Sequence, residues 1–132
     1  MAKKKAAKKR ASKVPLTRCC GMWTEARFWS FIRSNLRRMS SRWAPKYKCL
    51  ELARRKSESG NKRLKWEYQC AHCQAWFPGK EVEVDHIIPC GSLKSFADAA
   101  GFLERMLCEV DGFQVLCKGC HNKVTHHSPE NV

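Results

Sequence analysis

The sequence predicts an α+β fold, a small cysteine-stapled domain preceded by a basic helical segment, and three observations carry that prediction. Positive charge is gathered in one half of the chain. A strictly alternating stretch, Glu81 to His86, has the period of a strand, while the residues before and after it have helical periods. Two C-x-x-C pairs, Cys70/Cys73 and Cys117/Cys120, bracket that strand.

The charge is uneven enough to divide the chain. Residues 1–66 hold 21 Lys and Arg against Glu25, Glu51 and Glu58, a net of +18, and residues 67–132 hold 5 against 9 acids, a net of −4. A half with a net of +18 repels itself unless a polyanion neutralises it, so solubility alone does not account for it. Within 132 residues there is room for one ordinary domain or two small ones. The expected organisation is a basic, disordered arm at 1–20, a basic helical segment at 21–62 and a metal-containing domain at 63–128. No apolar run approaches the length of a membrane span. The basic start is not followed by the apolar stretch of a secretory signal, so the expected location is intracellular.

Each element has its own signal. Thr24 is placed to cap a helix, with Glu25 in the first turn where the helix dipole favours an anion. Phe28, Ile32, Leu36, Met39 and Trp43 recur at three to four residues and define one apolar face, with Arg27, Arg33, Arg37, Arg38 and Arg42 mostly off it. That aromatic stripe reads as core rather than as a platform for stacking bases. Pro45 suits the start of a second helix, whose buried side is Tyr47, Leu50 and Ala53, and Ser57–Asn61 ends it. Residues 64–78 read as a strand running into a cysteine turn. In the alternating strand, Val82, Val84 and His86 share one face and Glu81, Glu83 and Asp85 the other, until Pro89 and Gly91 stop it. Residues 95–107 form an amphipathic helix with Phe96, Ala100, Leu103 and Leu107 on its apolar side. A short apolar piece at 113–116 and a short helix from Cys120 to Val124 complete the chain.

Nine cysteines are an odd number, and in a reducing compartment they argue for metal ligation rather than a disulfide framework. Each C-x-x-C can present two thiolates from one tight turn, and two such pairs complete a tetrahedral four-cysteine zinc site. Such a closed site is structural, because no coordination position is left for chemistry. Cys19, Cys20, Cys49, Cys90 and Cys108 have no comparable pairing and read as small hydrophobes or free thiols.

Asp85-His86 at the end of a strand and His121 directly after the last zinc cysteine remain. Val84-Asp85-His86-Ile87-Ile88-Pro89, preceded by one C-x-x-C and followed by Leu116-Cys117-Lys118-Gly119-Cys120-His121-Asn122-Lys123, resembles the HNH endonuclease family over residues 66–127. The basic, Trp-containing first half also looks like the free-standing HNH and homing enzymes of phages. The resemblance implies a ββα-metal fold, two strands and a helix gripping one ion, acting on double-stranded DNA. His86 matches the general base, and Asp85 and His121 match the ligands of a catalytic Mg²⁺ or Mn²⁺. Arg27, Arg33, Arg37, Arg38, Arg42 and Lys123 would then meet DNA. A phosphodiester oxyanion repels hydroxide, so this chemistry needs both a base and a cation. The sequence departs from the family at Gly112, where the family has an Asn that braces the base, and Asp111 stands next to it as a substitute. If the backbone at 112 has room for a side chain, an Asn there is expected to be tolerated. Two other readings use the same residues: a non-catalytic zinc-containing nucleic-acid-binding module, and an RNA-directed protein. Monomer and dimer are equally compatible with the sequence, and one site of this kind cuts one strand per encounter.

Overall fold

The computed structural model describes residues 14–126, with side chains through Val124. The expected arm therefore lies outside the described residues up to Lys13, as does the tail from His127. The described residues form a mixed α+β structure of four helices and two small sheets. No helix among them is long and apolar enough to cross a membrane.

The first helix, α1 (Glu25–Ser40), starts where its cap sits: Thr24 Oγ1 accepts the Arg27 N–H at 3.2 Å. Glu25 is held by Arg18 at 2.7 Å and also accepts from Trp29 Nε1. The Arg18 guanidinium beside it holds its carboxyl below the usual range. The buried face is Phe28, Trp29, Ile32 and Leu36, packed against the third helix and Leu93. Met39 is instead 48% exposed, and Trp43 has left the helix to become the residue that precedes the next one. The expected stripe fails at these two positions because the chain turns at Ser41 and the core partner of α1 lies toward its middle.

In α2 (Ala44–Ala53), Pro45 occupies the first turn, where its missing N–H costs nothing. Cys49 is buried with Leu50 and Ala53 beside it, and Tyr47, expected inside, is exposed. The strand β1 (Arg54–Lys56) follows directly, at residues expected to belong to the basic helical segment before the Ser57–Asn61 linker. Three successive cations are poor strand formers alone, and here the neighbouring strand supplies aromatic partners. β1 pairs antiparallel with β2 (Trp66–Gln69), which pairs with β3 (Trp76–Pro78). Arg54 lies 4.1 Å from the Trp66 ring centroid on one face, and Arg55 lies 4.0 Å from that of Trp76 on the other. Arg55 also bonds Glu67 at 3.2 Å. Such cross-strand pairs stabilise an otherwise unfavourable strand.

A 3-10 turn (Gly79–Glu81) leads into β4 (Val82–His86), shorter than the alternation implies, since Ile87 and Ile88 are exposed beyond it. The third helix, α3 (Phe96–Met106), buries Phe102 and Met106. Its inward face is thus turned from the expected one, and Phe96 and Leu103 face outward at 64% and 37% exposure. A second 3-10 turn (Val110–Gly112) feeds β5 (Phe113–Cys117), and α4 (Lys118–His126) follows at once. β5 pairs antiparallel with β4 along its whole length, from Val82 opposite Cys117 to His86 opposite Phe113.

Two apolar clusters hold these parts together. Trp29, Leu93, Phe102 and Met106 join α1 to α3. Cys49, Val82, Phe113 and Val115 join α2 to the β4–β5 pair, with Tyr68 and Phe77 packing in from the other sheet. Burying side chains of this size is worth about 1.5–3 kcal/mol each. The second basic helix, α2, is therefore part of the same core as the β4–β5 strands, while α1 packs with α3 in the other cluster.

Candidate metal centre and histidine site

The β4–β5 pair carries two different sites, one at each end. At the Val82/Cys117 end the four cysteines converge, and their Sγ atoms all lie within 4.8 Å of one another. Local backbone makes this possible. Residues 70–74 form a tight turn in which the Gln74 N–H donates to Cys70 O at 2.9 Å, with Gln74 itself at φ 60°. The Ala71 N–H then donates to Val115 O at 2.8 Å, which fastens this turn to β5 two residues before Cys117. On the other side, the Cys120 N–H donates to Cys117 Sγ at 3.4 Å, so a ligand sulfur caps α4 as a Ser or Asp oxygen would. Leu116 and Phe77 pack over the cluster, and Cys70 is fully buried.

The donor set fits a structural metal ion such as zinc. A tetrahedral ion with bonds of about 2.3 Å to sulfur separates its ligands by about 3.8 Å, and Cys73 Sγ and Cys117 Sγ stand 4.0 Å apart. The electrostatics also call for a cation. Burial opposes the charge on Cys70, but backbone N–H groups of Cys117, Cys73 and His72 more than offset it and bring its thiol down to about 6. Hydrogen bonding with Cys117 pushes Cys120 in the opposite direction, up to about 12, and burial and the other two cysteines add to this. Four thiols this close ionise together only when a cation compensates them. The remaining five cysteines stay outside the cluster and are unpaired: Cys49 buried, Cys90 and Cys108 half-buried, Cys19 and Cys20 exposed.

At the other end lies His86. Its ring packs against Phe113 with centroids 4.7 Å apart, and its Nε2 stands 2.8 Å from Met106 O. A carbonyl oxygen can only accept, so Nε2 carries the proton and the lone pair of the neutral ring resides on Nδ1. The segment that supplies this carbonyl is clamped. Trp43 Nε1 donates to Cys108 O at 2.6 Å, and the Ile87 N–H donates to Gly112 O at 3.0 Å. The chain after His86 is pinned as well, by Arg105 to Cys90 O at 2.8 Å and by Arg33 to Leu93 O at 2.7 Å.

Asp85 points to the opposite face of β4 from His86 and accepts the His86 N–H at 2.9 Å. Glu83 lies on the Asp85 face, and its carboxylate stands 3.3 Å from Nδ1 of His121 in α4. A carboxylate there favours the proton on Nδ1, so that Nε2 keeps the lone pair. Among the described residues only the four cysteines form a group of three or more Cys, His, Asp or Glu side chains close enough to share an ion.

The expected DNA-facing arginines separate into two kinds. Arg33 is spent on the Leu93 carbonyl, whereas Arg27, Arg38 and Arg42 line clefts along α1. Arg37 is exposed, and so is Lys123 on α4. Asp111 is exposed and has no hydrogen bond to His86 among the described residues. Gly112 has a steric reason instead: a Cβ there would run into Cys108 Sγ and sit 2.9 Å from Cys108 Cβ. The condition on which an Asn at position 112 was expected to be tolerated is therefore not met.

Three features escaped sequence reasoning. The Met106 carbonyl is a backbone group and has no residue signature. Glu83 was signalled by its place beside Asp85 in the alternation, but not its pairing with His121. Lys46 of α2 brings its Nζ to 5.8 Å from the Phe113 ring centroid, which adds a cation to the ring that backs His86. Comparisons with protein-family models, with curated proteins and with solved structures found no match to this chain.

Proposed function

We propose that this protein is a metal-dependent DNA endonuclease of the HNH, or ββα-metal, kind, working in the reducing interior of a cell where its cysteines stay unpaired. The observation that supports it most is the hydrogen bond from His86 Nε2 to Met106 O. That bond leaves Nδ1 as the basic nitrogen of a ring at the end of β4 that is held by a braced loop, as a general base requires. In this reading Nδ1 of His86 takes the proton of the attacking water. The water oxygen bonds to phosphorus, the bond from phosphorus to the 3′ oxygen breaks, the departing 3′ oxygen takes a proton from a solvent water, and the products are a 5′-phosphate and a 3′-hydroxyl. Asp85 and His121 would hold Mg²⁺ or Mn²⁺, with Glu83 orienting the imidazole of His121. When bound, that ion would neutralise charge building on the phosphate and on the departing oxygen. The four-cysteine cluster would hold zinc and keep β5 and α4 in register.

The experiment is nicking of supercoiled plasmid by purified full-length protein with Mg²⁺ or Mn²⁺, and again with EDTA. The expected result is relaxed circles only with the metal. No nicking under any metal would favour the second reading, a non-catalytic zinc-containing nucleic-acid-binding module.

A further inference from the structure

The apolar stripe of α1 is split by the fold. Phe28, Trp29, Ile32 and Leu36 go to the core, whereas Phe31 and Met39 stay 53% and 48% exposed. Phe31 does not stand alone. It lies in a cleft of about 380 Å³ lined by Trp23, Arg27, Asn35 and Arg38 among others. Trp23 meets it edge-on at 5.2 Å and is covered by the Arg27 guanidinium at 4.7 Å. The backbone of Trp23 is locked by reciprocal hydrogen bonds with Arg18 at 3.1 and 3.0 Å. Arg38 also lines a second cleft of about 490 Å³ with Met39, Arg42, Trp43 and Leu107, so its side chain borders both. No acidic residue lines either cleft among the described residues. The far end is Leu107, directly after the Met106 carbonyl that holds His86. The α1 residues that line the two clefts run from Arg27 to Met39, about 18 Å of grooved surface along the helix.

We infer that this groove binds an unpaired nucleic-acid strand, with a base stacked on Phe31 and phosphates on Arg27, Arg38 and Arg42. The inference rests on the nucleic-acid part of the function proposed above and adds which form of the polymer the groove takes. Phosphate contacts alone need arginines and no apolar ring between them. An exposed phenyl held by an immobile Trp offers something only a base outside a duplex can use, because paired bases hide their faces. The alternation of arginine and aromatic side chains is the pattern that follows a single strand: charge tracks the backbone and rings take the bases.

The test is anisotropy of a labelled oligo(dT) 12-mer and of a 12-base-pair duplex, titrated with full-length protein in EDTA at several salt concentrations. Phe31→Ala should weaken the single strand by about 5- to 150-fold, the cost of one base stack, with its salt slope unchanged. Duplex affinity should hold, Phe31→Tyr should restore the single strand, and thermal melting should match the parent chain. Arg38→Gln should lower the single-strand salt slope by about 0.7. Unchanged single-strand binding by Phe31→Ala overturns the inference, and so does an equal loss on both probes. A chain that binds neither probe overturns the nucleic-acid reading with it. A chain that binds the 12-mer through Phe31 but nicks no plasmid keeps this inference and removes only the nuclease.

Discussion

The two ends of the β4–β5 pair solve different problems. The cysteine end is closed by side chains the chain supplies itself: four thiols, a sulfur that caps a helix, and Leu116 and Phe77 packed on top. The histidine end is open and held by backbone. His86 takes its orientation from one carbonyl, and that carbonyl is positioned by Trp43, Ile87 and the turn at Gly112. Four residue steps of strand, about 13 Å, separate them. A site that only has to stay shut can be specified by residue type and spacing. A site that has to present a lone pair to a reactant depends on where several distant elements put their peptide groups.

The largest expected effect falls on the closed end. Cys117→Ser removes a metal ligand while keeping a hydroxyl that can still cap α4. Metal-binding energy in such sites is folding energy, on the order of 10–16 kcal/mol in isolated zinc modules. The variant should contain no zinc by elemental analysis and lose cooperative thermal unfolding. A folded, zinc-free variant would break the contrast by showing that the cluster is ornamental. Proton release sharpens the same point. In the folded apo cluster Cys70, down at about 6, has already lost its proton at pH 7.5, while Cys120, up at about 12, has not. Zinc binding to a preassembled cluster should therefore release fewer than four protons at pH 7.5, read by calorimetry in buffers of different ionisation enthalpy. As pH falls through 6, Cys70 regains its proton in the apo state, so release rises and affinity drops. Four protons at pH 7.5 would mean that the ion assembles the site.

At the open end the expected loss is in rate. His86→Ala should keep one zinc per chain and slow plasmid nicking by about 10²–10⁴. Parent rates in this variant would put the base elsewhere. Gly112→Ala should act on the same end through packing. The added Cβ meets Cys108, and such overpacking costs about 1–3 kcal/mol, read as a lower denaturation midpoint. Cys108→Gly in the same chain should return part of that loss. A Gly112→Ala protein as stable as the parent would show that the turn carrying the Met106 carbonyl gives way freely.

The contrast also explains what sequence reasoning reached. The two C-x-x-C pairs, the alternation of β4 and the short helix after Cys117 were legible because each follows from residue type at fixed spacing. β1 was not, since Arg54-Arg55-Lys56 becomes a strand only once Trp66 and Trp76 lie beside it. The inward face of α3 was misjudged because Phe96 and Phe102 are equally apolar, and only docking against Trp29 and Leu93 buries Phe102. The constraint on Gly112 was not legible for a related reason: it comes from Cys108, four residues earlier, folding back over it.

The smallest expected effect on stability, and the finest division between the two ends, concerns Glu83. Its carboxylate lies 3.3 Å from His121 Nδ1, with the two side chains 47% and 30% exposed. Pairs this open to solvent are screened and add less than about 1 kcal/mol to folding. Glu83→Gln should therefore melt within a few degrees of the parent and keep its zinc, since the cysteines do not depend on it. Its effect should appear in metal dependence instead. An imidazole that loses the carboxylate beside Nδ1 is less firmly turned, and orienting partners of this kind are worth about 10- to 100-fold in metal affinity. The Mg²⁺ concentration giving half-maximal nicking should rise by about tenfold or more, while the rate at saturating Mg²⁺ stays near the parent value because His86 is untouched. Unaltered metal dependence would mean that His121 does not ligate the catalytic ion, and that the Glu83 contact is only one more solvent-exposed pair on the face of β4.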